Sequence, residues 1–390
     1  MKKRILRYLK HISLTFLCLV LVAIVFGLYI DASLSYDENP QRMNWHNDGP
    51  YLFSENDSII TLNYIKGSRE EGYYVDRKKY SVSDKIPASS YFSLDSTSFD
   101  FTIETKFETP KAIYNDNNKI IAVSDIESSY KAFRDFLINT RVIDKNLKWI
   151  FEKGHLVLVG DFMDRGFSTT QVLWFIYKLE QEAKTHGGQV HFIIGNHELK
   201  NMHGDYLSAS PKYKFIAAML GKTQSNLYDK NSIIGKWLSS KNTIELINGM
   251  LFTHGGLHPD TANIDLSLNE VNQLIRTRYY LANYPKANET KTDFLTSSQK
   301  GICWYRGYFK DNLSQQDVEV GLNKFDAKAI VVGHTLQSKV KTFFNKKVIA
   351  IDVKHPKDYH KNWPTPKSEG LLIEGDSYFR ILSNGEIEKL

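Results

Sequence analysis

Apolar and polar positions divide this chain of 390 residues into three textures. The first is one uncharged run, residues 12–30 (ISLTFLCLVLVAIVFGLYI), close to the ~20 residues a helix needs to span a bilayer. The second covers residues 51–109, where short β-branched and aromatic runs (59–65, 72–75 and 99–103) lie between turn residues. Asp100, Thr102 and Glu104 alternate there with Phe101, Ile103 and Thr105, as on a half-exposed strand. That spacing predicts a small antiparallel β module. The third texture begins at Lys119 and alternates apolar runs with helix-spaced stretches. Strands are predicted at 120–124, 156–159, 190–194, 250–252 and 329–332, with a β-rich tail at 348–351, 370–373 and 378–381. Helices are predicted at 128–137 and 169–183, the second carrying Val172, Leu173, Phe175, Ile176 and Leu179 on one broad face. Strands apolar throughout are covered on both faces. The expectation is an α/β fold of two sheets packed face to face, a β-sandwich flanked by helices.

Charge sharpens the reading of the amino terminus. Lys2, Lys3, Arg4, Arg7 and Lys10 precede the apolar run and Asp31 follows it. The positive-inside rule then predicts a single-pass protein with residues 1–11 in the cytoplasm and the rest across the membrane, in the periplasm if the envelope is Gram-negative. The run is longer than the ~7–15 apolar residues of a cleaved signal and has a poor cleavage site, which favours an uncleaved anchor. Those five basic residues account for most of the formal charge of +6, so the body is nearly neutral and no nucleic-acid partner is expected. Two cysteines, Cys18 and Cys303, form no disulfide framework. The expected organisation is a basic tail (1–11), an anchor (12–30), a linker (31–50), a β-rich extension (51–112) and a main domain (113–390) with a cap-like insertion at 203–245.

Four short blocks carry the candidate chemistry: Gly160-Asp161-Phe162-Met163-Asp164-Arg165-Gly166, Gly195-Asn196-His197-Glu198, Thr253-His254-Gly255-Gly256 and Gly333-His334-Thr335. Each follows a predicted strand, where open α/β sheets build their sites. Taken singly, an Asp or His at such a place is an ordinary cap or a satisfied core residue; four blocks in one order point to a two-metal phosphoesterase site. Phosphate-ester hydrolysis at neutral pH needs charge neutralisation, an activated water and a protonated leaving group, and two ions about 3.5–4 Å apart supply the first two. Asp161 suits a bridging ligand and Asp125 a terminal ligand on one ion; Asn196, His254 and His334 fit the other. The expected mechanism is direct attack by a hydroxide bridging the two ions. His197 can protonate the leaving oxygen, Asp164 can hold its ring, and Arg165 offers a planar fork to phosphate oxygens. His155, His186, His191, His203 and His258 have no companion motif and are read as structural or solvated.

These blocks resemble the calcineurin-like metallophosphoesterase superfamily, specifically its phosphoprotein phosphatase branch. Asn201-Met202-His203-Gly204-Asp205-Tyr206, Gly235-Lys236-Trp237-Leu238 and Trp304-Tyr305-Arg306-Gly307 resemble the bacterial, Shewanella-like group within it. The resemblance covers roughly residues 117–340 and leaves residues 1–112 outside. It implies a metallophosphoesterase fold, two divalent ions (Mn²⁺ favoured, Fe or Zn as alternatives) and a second phosphate clamp at Arg306. One position departs from the pattern: Ser124-Asp125-Ile126-Glu127 places glutamate where the family has a histidine ligand. Glu127 is expected to ligate through its carboxylate, favouring hard ions; the alternative is a weakened site in a phospholigand-binding protein. The expected activity is hydrolysis of phosphomonoesters, on phosphoproteins or small molecules, with dinucleoside polyphosphates as the rival substrate class.

Overall fold

The computed structural model describes residues 2–29, 32, 34–282, 284, 286 and 288–390. Two six-stranded sheets face each other. In the first, Gln189–Ile193, His155–Val159 and Ile120–Val123 run parallel, and Glu369–Glu374, Ser377–Leu382 and Ile387–Lys389 continue the sheet antiparallel. In the second, Lys341–Phe343, Val348–Ala350, Ala329–Val332, Met250–Thr253, Ile244–Ile247 and Ile113–Tyr114 lie side by side. The Val348, Ala329 and Met250 strands of that sheet are mutually parallel. Ala122, Val157, Val159, Phe252, Val331 and Ile349 fill the space between the sheets. Their neighbours Ile121, Val123, Leu156 and Leu158 face outward. There Phe133, Phe136 and Phe175 of the helices Tyr130–Asn139 and Thr169–Thr185 cover them. Both faces of each central strand are thus apolar, which is why these runs show no alternation in the sequence.

Six parallel strands, three from each sheet, end along one edge of the sandwich. Asp125, Asp161, Asn196, His254 and His334 follow five of them, so the topology gathers blocks that lie more than 200 residues apart.

Residues 48–103 form a three-stranded antiparallel sheet (Asp48–Ser54, Ile59–Ser68, Gly72–Ser81) and a hairpin (Ile86–Phe92, Thr97–Ile103). This extension lies on the Thr169–Thr185 helix. Trp174 donates its Nε1–H to the Pro50 carbonyl (2.8 Å) and stacks on Phe101 at 5.3 Å. Residues 203–245 pack on the same β-rich segment: buried Lys212 pairs with buried Asp48, and Phe53 bridges to Ser232. Within the segment read as a linker, Leu34–Tyr36 pairs antiparallel with Lys361–Trp363; three residues between turn signals leave no periodicity to detect. Lys2–Tyr29 is one helix with no buried residue, and it is the one described helix long and apolar enough to cross a membrane. Its expected boundary, Ile30 and Asp31, lies outside the described residues.

Candidate active site

The loops that follow the strands turn sharply. Asp125, Glu127, Ser128, Asp161, Asp164, Arg165 and His334 all take left-handed φ values, from +49° to +68°. Each such non-glycine residue costs on the order of 1–3 kcal/mol, so the surroundings must hold it. Glu198 supplies much of the hold. Fully buried, its carboxylate accepts N–H bonds from Gly195, Asp161 and Phe162, each at 2.9 Å, and ties two strand-end loops together. Gly160 is required by contact as well as by its φ of +79°: a Cβ there would lie 2.6 Å from His254 Nδ1.

Asp161, His254 and His334 are buried, with ligand atoms within 4.8 Å of one another. His254 Nδ1 lies 2.8 Å from the Val159 carbonyl, which can only accept, so Nδ1 carries the proton. Nε2 therefore turns a lone pair toward Asn196 Oδ1 at 3.0 Å and Asp161 Oδ2 at 3.1 Å. Such a meeting of acceptors calls for a cation or an extra proton. Burial opposes protonation of His254, yet the Asp161 and Asp125 carboxylates pull its pKa up to about 10. His334 Nε2 is buried without a hydrogen-bond partner among the described residues, and the His334 N–H donates to Asp125 Oδ2 at 3.1 Å. Burial, with Asp161 nearby, pushes Asp125 up to about 7 although His254 pulls the other way. Oxygen and imidazole donors with unmet demand for positive charge fit divalent ions.

Beside this centre, His197 Nδ1 donates to Asp164 Oδ2 at 2.7 Å, and the His197 N–H donates to Asp161 Oδ1 at 2.9 Å. Asn201 fixes the other Asp164 oxygen at 2.8 Å. Burial disfavours the imidazolium, but the Asp164 hydrogen bond and the Asp161 charge outweigh it and raise the His197 pKa. Arg306 bonds to the His334 carbonyl and reaches Thr335 Oγ1 and His334 Nδ1, both at 3.3 Å. Arg165 lies 3.4 Å from His197 Nε2 and pairs with Glu127, which also pairs with Lys357. Arg165, His197, Lys200, Trp304, Arg306 and Lys310 line an open groove of about 400 Å³. Its far wall comes from residues 298–311 rather than from the 203–245 insertion.

All ten expected site residues therefore sit in or beside one cluster. Sequence reasoning passed over four others. Glu198 stood inside a quoted block with no role given, Asn201 inside a second, Lys200 between the two and Lys357 in a tail without a motif. Lys200, 5.3 Å above the Trp304 ring, adds a cation to the groove that no spacing announces.

The family model described as calcineurin-like phosphoesterase matches residues 118–338. The chain is 30% identical over 250 residues to Shewanella-like protein phosphatase 1 of Plasmodium berghei (strain Anka), covering 60% of this chain and 67% of that protein. It is 23% identical over 357 residues to Shewanella-like protein phosphatase 2 of Arabidopsis thaliana, covering 80% and 86%. Among solved structures, the cold-active protein-tyrosine phosphatase of a psychrophilic Shewanella species matches with a TM-score of 0.75 at 28% identity, covering 88% of this chain and 99% of that one. That coverage exceeds what residues 113–390 alone can supply. Part of the amino-terminal extension, expected outside the resemblance, is shared with that structure.

Proposed function

The chain belongs to the calcineurin-like phosphoesterase family and is a hydrolase with phosphatase relatives, and on that premise we propose that it is a membrane-anchored phosphomonoesterase that uses two divalent ions, Mn²⁺ by preference, and acts on phosphorylated proteins. The observation that carries the reading is the convergence of His254 Nε2, Asn196 Oδ1 and Asp161 Oδ2 beside the His197–Asp164 pair. Asp161 would bridge the ions, Asn196, His254 and His334 would hold one, and Asp125 the other. Bound there, the ions would neutralise phosphate charge and acidify a water for attack on phosphorus.

The chain's own residues do the rest. Asp164 keeps a proton on His197 Nδ1 and aims Nε2 into the groove, from which it protonates the departing oxygen. Arg165 and Arg306 stand on the groove wall as donors for phosphate oxygens. The openness of the groove suits a phosphorylated side chain presented on a protein surface. The names of the Shewanella structure and of both curated relatives support the same substrate class.

The test is hydrolysis of p-nitrophenyl phosphate by full-length, metal-stripped protein titrated with Mn²⁺. Turnover should depend on the metal and fall about 10²–10⁴-fold in His197→Ala. Folded protein that turns over with no divalent ion would overturn the reading. The anchor predicts resistance to carbonate extraction and an intact amino terminus; a mature chain beginning near residue 32 would sink it.

A further inference from the structure

The ribbon of Leu34–Tyr36 and Lys361–Trp363 is built the wrong way round for water. Leu34 pairs with Trp363 and Tyr36 with Lys361. Cross-strand partners share a face, as do residues two apart on one strand. Leu34, Tyr36, Trp363 and Lys361 therefore stand on one side of the ribbon, Ser35 and Asn362 on the other. Ser35 Oγ donates to Asn362 Oδ1 at 2.6 Å, and Asn362 is buried. The polar pair thus turns toward the body of the protein. The apolar face turns away from it, with Leu34 66%, Trp363 50% and Tyr36 47% exposed. Half-solvated antiparallel strands ordinarily show the opposite pattern. Lys361, the charged residue on that face, pairs with Asp37.

An exposed apolar patch rimmed by polar residues marks an interaction surface, and the position of this one says what it meets. Four residues separate Tyr29, the last residue of the apolar helix, from Leu34. The Ala32 N–H bonds to the Gly27 carbonyl at 2.8 Å, which ties that connection back onto the helix end. Leu28 and Ala32 share a cleft of about 320 Å³ with Leu336, Pro364 and Pro366. The end of the helix, the turn after Trp363 and Leu336 therefore lie together. Leu336 is 61% exposed and stands two residues beyond His334 of the site. Lys354 and Lys367 line the same cleft, and residues 353–367 carry four lysines against one acid, Asp358. Tryptophan and tyrosine beside lysine suit a membrane interface, where amphipathic rings sit among headgroups and ammonium groups reach phosphate. A bilayer crossed by the helix lies within the reach of the four-residue link.

We propose that the outward face of the ribbon, together with Leu336, rests in the headgroup layer of the bilayer that the helix crosses, with a preference for anionic lipids. This inference rests on the anchor reading above. It gives the catalytic domain one orientation, with the loop that carries His334 held at the membrane surface.

Trp363 supplies the probe. Of the six tryptophans it alone is exposed; Trp45, Trp149, Trp174 and Trp237 are buried, and Trp304 lines the groove. Full-length protein is reconstituted in vesicles of phosphatidylcholine and phosphatidylglycerol, with or without acyl chains brominated near the headgroup, and tryptophan emission is read. Brominated lipid should quench wild type, and Trp363→Phe should lose that quenching. Leu34→Glu should lose it too, because a carboxylate is expelled from the interface, while its turnover of p-nitrophenyl phosphate stays at the wild-type level. Vesicles of phosphatidylcholine alone should quench less; equal quenching there would overturn the anionic preference. Wild type that resists carbonate extraction yet is not quenched would overturn the proposal and leave the anchor standing. Quenching that persists in Trp363→Phe would overturn it as well. If Trp363→Phe does not fold, Leu34→Glu decides. Protein released by carbonate would instead overturn the anchor reading, and the proposal with it.

Discussion

Two clusters of histidines and carboxylates bridge the sheets of this protein, and they differ in how fully their members are paired. In the first, Asp116, His155, His191 and Glu245 form a chain. His155 Nε2 bonds to Asp116 at 2.9 Å, His155 Nδ1 faces His191 Nε2 at 2.8 Å, and His191 Nδ1 bonds to Glu245 at 2.6 Å. Asn242 closes the end by donating to the other Glu245 oxygen at 2.9 Å. Carboxylates only accept, so both outer ring nitrogens carry protons. Each ring nitrogen and each carboxylate of that chain has a partner. In the second cluster, His254 Nε2 meets oxygens of Asn196 and Asp161, and His334 Nε2 has no hydrogen-bond partner among the described residues. Residue type is the same in both. What distinguishes a site from a strut here is unmet demand for positive charge.

Substitutions should separate the two clusters. The largest effect is expected for His254→Ala, which removes a ligand: kcat should fall at least about 10³-fold. His191→Ala should do the reverse. It strands Glu245 and His155, costing on the order of 3–5 kcal/mol in denaturant unfolding, with kcat per folded molecule nearly unchanged. A cation supplied from outside sharpens the contrast. At 100 times its Kd, Mn²⁺ should stabilise wild type by about 2.7 kcal/mol and His254→Ala by far less, read as a shift in Tm.

The smallest effect concerns Asp358, which lies between these extremes. It accepts from the Lys131 N–H and from Ser168 Oγ but has no ion-pair partner among the described residues, and burial pushes its pKa up to about 7. A folded pKa above the unfolded one means that the native state keeps a proton the unfolded chain has released. Stability is then lost as pH rises from about 4 to 7. Asp358→Asn should gain about 1–2 kcal/mol relative to wild type on going from pH 5 to pH 8. An unchanged difference between the two proteins across that range would refute this.

Much of the fold was legible because central strands buried on both faces leave uninterrupted apolar runs. The predicted strand at 329–332 and the observed Ala329–Val332 coincide, and the helix expected at 169–183 runs to Thr185. What escaped was shaped by partners distant in sequence. Asp48–Ser54 and Ile86–Phe92 contain Pro50 and Pro87 and read as turns, yet they pair with strong strands beside them. Ile244–Ile247 carries Glu245, whose burial makes sense only once His191 is opposite. Within the site, the four blocks announced themselves because ligand residues must sit at strand ends. Glu127 could be placed by its neighbours alone, but its partner Lys357 is 230 residues away.

The short strand Leu34–Tyr36, paired with Lys361–Trp363, has a consequence for reach. Four residues separate Tyr29, at the end of the apolar helix, from that strap, so at most about 17 Å of chain lies between them. If that helix is the proposed anchor, the enzyme would sample a thin layer against the bilayer rather than the surrounding volume. Phosphorylated groups carried by proteins of the same membrane would meet it at the high local concentration that a short leash confers, and a weak intrinsic affinity would then suffice.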